Sequence, residues 1–97
     1  MESKNHAPLS ALRGAIRDFR VIRFTYEGKQ YVVEPAELGR SSRGSMELTG
    51  WVREGPHASG LWLKFHYWKI RELQILPDHF TPPPKAAPTP DLIAKAS

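Results

Sequence analysis

From Val21 to Leu76 the apolar residues recur at every second position, in short runs broken by glycine and proline. That period matches the pleat of a β-strand and rules out a helical bundle, whose apolar stripe repeats near 3.6. The stretch "VIRFTY" sends Ile22, Phe24 and Tyr26 one way and Arg23 and Thr25 the other. The "EGK" that follows supplies a glycine for a tight turn into "QYVVEP", which predicts a hairpin from Val21 to Glu34. Pro35 cannot donate to a ladder and is expected to close the second strand. The loop "GRSSRG" comes next, Gly39 to Gly44. "SMELTGWV" places Met46, Leu48, Gly50 and Val52 on one face and Glu47, Thr49 and Trp51 on the other. Gly50 marks a bend or a close backbone approach. In "GLWLKFHYWKI", Leu61, Leu63, Phe65 and Tyr67 share an inward face, each contributing about 2 kcal/mol of gross burial. Trp62, Lys64, His66 and Trp68 share the outward face. "IRELQIL", Ile70 to Leu76, is the last strand before Pro77.

Ahead of the strands, Leu9, Leu12, Ile16 and Phe19 recur at three and four residues and predict a helix, capped by Ser10 or opened by Pro8. One helix and five short strands predict a mainly β fold. The expected form is a small five-stranded antiparallel barrel of SH3-like or Sm-like type, with the helix over one open end, because closure removes exposed edges. Residues 1–7 are read as a loose lead-in and 8–80 as the barrel domain. Residues 81–97, with five of the nine prolines, are read as a disordered Pro-rich tail.

The chain has 97 residues, no cysteine and a formal charge of +4. It offers no disulfide framework, no thiolate metal site, no signal-like apolar stretch at its start and no apolar run long enough to span a bilayer. A cytoplasmic setting and anionic partners are the expectation.

The order "LRGAIRDFRVIRFTYEGKQYVVEPAELG", a loop, "LTGW", "WLKFHYWKI", then "HF" resembles the WYL domain family, in particular its short stand-alone members. The resemblance spans about residues 9–81. It rests on Ala15, Ile16, Phe24, Tyr26, Glu34-Pro35, Leu38-Gly39, Leu48, Gly50, Phe65, Ile70 and Phe80. It implies a small β-barrel with an N-terminal helix, in a largely bacterial family tied to transcription regulators. Such barrels are thought to sense a nucleic acid or nucleotide through a basic cleft. The chain departs from the pattern in places. The Trp-Tyr-Leu signature falls on Met46, Glu47 and Leu48; positions where arginines are common read Leu63 and His66; only Lys69 keeps the charge; and Trp68 stands where a carboxylate is usual. Lost guanidiniums weaken the case for a strongly anionic ligand. No helix-turn-helix fits ahead of Leu9, so regulation of transcription would run through a partner.

Two readings apply to Trp51, Trp62, Lys64, His66, Trp68 and Lys69. In one, the indoles stack on bases while the cations attract phosphate, so the face takes single-stranded nucleic acid or a nucleotide. In the other, helix or tail covers the indoles and the lysines are merely solvated. Arg40 and Arg43, among the hydroxyls of Ser41, Ser42 and Ser45, form a second candidate anion site, but "GRSSRG" is no phosphate-binding loop. Arg13, Arg17 and Arg20 are either a phosphate-tracking stripe or the wet side of the helix. His57, His66 and His79 have no metal-ligand spacing, and no nucleophile–base pair stands out, so the expectation is a non-enzymatic binding module without cofactor or metal. The alternative is a protein-interaction module that uses the same aromatic surface or an exposed strand edge.

Overall fold

Glu27 and Gly28 both adopt positive φ, 52° and 80°, the backbone of a two-residue turn whose twist suits a hairpin. That turn joins β1 (Arg20–Tyr26) to β2 (Lys29–Arg40) in antiparallel register, Tyr26 against Lys29 and Ile22 against Val33. The computed structural model describes residues 7–56, 60–81 and 94–95. Ahead of the hairpin lies α1 (Leu9–Arg17), and after it come β3 (Met46–Glu54), β4 (Leu61–His66), a single 3-10 turn (Tyr67–Lys69), β5 (Ile70–His79) and the two-residue β6 (Ala94–Lys95). The five long strands form one antiparallel sheet, and β6 joins its edge in parallel, giving the order β5-β1-β2-β3-β4-β6.

The sheet is strongly curled but not closed. Neighbouring strands lie about 4.8 Å apart, so on a flat sheet β1 and β4, three steps apart, would be about 14 Å from each other. Yet the rings of Phe24 on β1 and Phe65 on β4 have centroids 5.0 Å apart, and Tyr26 and Tyr31 each come within 5.1 Å of Phe65. Around these rings gather Ile22, Val33, Leu48, Val52, Leu63 and Ile70, with Ala7, Leu12 and Ala15 added by α1 and the residue leading into it. Gly50 permits the approach of β2. A Cβ there would strike the Val33 side chain and stand 3.0 Å from the Glu34 carbonyl, as a close backbone contact requires.

Several expectations need correction. The barrel does not close, because no ladder links β4 to β5 among the described residues. The 3-10 turn leaves those strands at opposite ends of the order, and the outer edge of β4 takes residues 94–95 instead. Residues 94–95 thus belong to the sheet, while the rest of the expected tail beyond Thr81, and lead-in residues 1–6, lie outside the described residues. Ala7, read as lead-in, is fully buried. Pro35 does not end β2. It sits opposite Gly50 where the register against β3 shifts, and the strand runs on to Arg40. The helix stops before Phe19, whose φ of 56° is left-handed. That ring leaves the stripe to meet Phe80 edge-on at 5.8 Å, and Ala15 supplies buried surface in its place. Pro8 holds the N-cap position without a side-chain bond, so Ser10 is not the cap. β5 continues past Pro77 to His79, which an edge strand tolerates. No helix among the described residues is long and apolar enough to cross a membrane.

Candidate binding face on β3 and β4

Strand alternation decides which side chains share the outward face. β3 and β4 pair in unbroken register, setting Glu47 against His66, Thr49 against Lys64 and Trp51 against Trp62. Three cross-strand pairs therefore stand in a row: carboxylate with imidazole, hydroxyl with ammonium, indole with indole. The Trp51 and Trp62 rings meet edge-to-face at 5.7 Å, and Trp51 also backs onto the bare Cα of Gly60. Both indoles are partly buried, whereas Glu47 and Thr49 are only 6% and 8% exposed. The indole Nε1 of Trp62 and Nδ1 of His66 are shut off from solvent yet have no hydrogen-bond partner among the described residues. Each such atom costs about 1–3 kcal/mol relative to a satisfied one. Lys64 lies between them on the strand and forms no ion pair or hydrogen bond with the described residues.

The end of β4 is tied to the hairpin turn. The His66 amide donates to the Tyr26 hydroxyl at 3.1 Å, and the Tyr67 hydroxyl donates to the Ala7 carbonyl. Lys69 Nζ lies 2.7 Å from Glu27 Oε2 and 5.3 Å from the centre of the Trp68 ring. The bond to Glu27 raises the Lys69 pKa above its ordinary value. Burial raises the phenols of Tyr26 and Tyr31 above theirs, against the lowering influence on Tyr26 of the His66 amide and Lys69.

The predicted site residues do not all converge. Trp51, Trp62, Lys64 and His66 share the face. Trp68 lies off the strand, on the 3-10 turn, 55% exposed, with its ring 6.0 Å from that of His66. It borders the face without forming part of the row. Lys69 is engaged by Glu27 and Trp68 rather than held out for a ligand. Arg40 pairs in register with Met46, and with Leu38 it follows the core-facing parity of β2, so it is not on the indole face. Its Nη1 donates to the Gly44 carbonyl at 2.8 Å, and Ser41 Oγ accepts from the amides of Arg43 and Ser45, so this loop is closed on itself. Arg17 pairs with Asp18, and Arg20 donates to the Leu76 carbonyl, which breaks up the helical arginine stripe. The helix packs on β1 and β2 and not over the Trp68 ring.

Sequence reasoning missed two features. Glu34, 6% exposed, receives Arg53 at 2.8 Å, and Arg53 also reaches Asp78 at 3.9 Å, a polar link from β2 through β3 to the end of β5. The orphaned nitrogens of Trp62 and His66 are the other, and no local pattern encodes them. No group of three or more His, Cys, Asp or Glu that could hold a metal ion occurs among the described residues. Compared with protein-family models, curated proteins and solved structures, the chain matches none.

Proposed function

We propose that this chain is a non-enzymatic, WYL-like ligand-binding module whose β3–β4 face takes single-stranded nucleic acid or a nucleotide, linked to bacterial transcription regulation. The observation that carries the reading is the row formed by Trp51, Trp62, Lys64 and His66, with two shielded nitrogens that lack partners among the described residues. Indole faces stack on bases without regard to sequence, and an ammonium beside them attracts phosphate. A ligand acceptor that reaches Trp62 Nε1 recovers the cost of an unmade hydrogen bond. The strand order β5-β1-β2-β3-β4, curled around Phe65 and followed at β4 by a 3-10 turn, supports kinship with small SH3-like or Sm-like barrels.

Titration of the intact protein with a short oligothymidylate, followed by tryptophan fluorescence, tests this. Affinity is expected to fall steeply with salt as phosphate contacts release counterions. Trp62→Ala and Lys64→Ala are each expected to weaken binding about tenfold, within the range of one lost stacking or charge contact, while Arg40→Ala and Arg43→Ala change it little. Absence of binding at low salt, or equal losses in the arginine variants, would overturn the assignment of the face.

A further inference from the structure

The two ends of the sheet are finished differently. β5, which among the described residues pairs only with β1, is an irregular strand: Glu72 has φ of 54°, the register against β1 shifts twice, and Pro77 withholds an amide. Such irregularity blunts an edge against further pairing. β4 has none of it, since its register with β3 runs unbroken from His66 to Leu61. A straight strand with a free edge is a template for another strand. Among the described residues only Leu63 and Lys64 are paired on that edge, with Ala94 and Lys95 of the same chain, in parallel.

That internal pairing is short. A two-residue ladder holds weakly, and closing the chain between Thr81 and Ala94 costs entropy. Lys64, one of the two residues it covers, forms no ion pair with the described residues. A carboxylate on an added strand in register with Lys64 would be attracted to it, on a protein with a formal charge of +4.

We propose that the outer edge of β4 is a strand-addition surface for an extended acidic segment of a partner protein, with Asp or Glu in register with Lys64, and that residues 94–95 occupy it in cis as a weak competitor. The inference shares Lys64 with the nucleotide reading but differs from it in using the backbone edge of β4 rather than the indole rings, so Trp62→Ala is expected to leave peptide binding intact while weakening oligothymidylate binding.

The test uses the full-length, isotope-labelled protein carrying Ala94→Pro, which removes the amide at position 94 and disfavours the internal pairing. Two probes are added separately: a peptide of residues 91–97 in its own sequence, and the same peptide with Lys95→Glu. The acidic peptide is expected to shift the backbone amides of Leu61 to His66, to bind at least tenfold tighter than the unaltered peptide, and to bind the unsubstituted protein at least tenfold more weakly. Lys64→Glu, added to Ala94→Pro, is expected to reverse the preference between the peptides. In a peptide-free chain, Lys95→Glu is expected to slow amide exchange at Lys64, whose amide faces the outer edge, at least threefold. Equal affinity for the two peptides, a preference unchanged by Lys64→Glu, shifts confined to the indoles, or dimerisation of the Ala94→Pro protein without a peptide response would each overturn the proposal.

Discussion

Phe24 on β1 and Phe65 on β4 stand perpendicular, ring centroids 5.0 Å apart, although β2 and β3 lie between their strands in the sheet. The contact fixes the curl, and the curl places β4 so that Leu63 and Phe65 close the core while Trp62, Lys64 and His66 turn outward. Phe65→Ala is therefore expected to cost about 3–5 kcal/mol, the range for a fully buried phenylalanine. Chemical denaturation measures it. A loss below 1 kcal/mol would mean that Phe65 does not hold β1 and β4 together.

Gly50 lets β2 and β3 approach where Pro35 interrupts the ladder. Gly50→Ala is expected to destabilise by about 1–3 kcal/mol, as overpacking does, and Val33→Ala in the same chain to restore part of the loss by removing the methyl that the new Cβ meets. A double-mutant cycle by denaturation checks the sign of the coupling.

The phenols of Tyr26 and Tyr31, raised by burial above their ordinary value near 10, give the fold an alkaline limit. The folded protein holds these protons to higher pH than the unfolded chain does. Their contribution is thus fully present below pH about 10 and is lost as pH rises through the folded values. Lys69, also raised, acts with the same sign. Tyrosinate absorbance is expected to show late-titrating phenols that shift to lower pH on unfolding, together with a falling thermal midpoint above pH about 10.

Trp62→Phe separates stability from binding. The variant deletes a shielded N–H that has no partner among the described residues, so it is expected to cost less than about 1 kcal/mol despite the smaller ring, while weakening oligothymidylate binding. Denaturation and fluorescence titration with the remaining indoles read the two effects. A large stability loss would show that the indole serves packing.

Much of this architecture was legible from period and punctuation. Alternation correctly separates Leu48 and Val52 from Thr49 and Trp51, and the glycine in "EGK" marks the hairpin turn, because both signals are local. Phe19 misleads because its helical spacing is overridden by Phe80, far away along the chain. Pro35 misleads because a bulge opposite Gly50 absorbs its missing amide. Barrel closure depends on distant edges meeting, which no local pattern encodes, and residues 94–95, which pair with the edge of β4, carry no strand signal of their own. Within the candidate site the outward row was readable from "LWLKFH". The engagement of Lys69 by Glu27 was not, since it depends on the long-range register of β1 against β5, which sets Tyr26 opposite Ile70 and so brings the residue before β5 to the hairpin turn.

The indole N–H resonance of Trp62 reports on the proposed binding face itself. Adding a short oligothymidylate at low salt to the labelled, intact protein is expected to shift that resonance and the His66 ring signals, with little change at Arg40 and Arg43, and added salt is expected to reverse the shift. An oligonucleotide that binds while leaving the Trp62 indole unmoved, or that perturbs the arginine loop alone, would contradict the account.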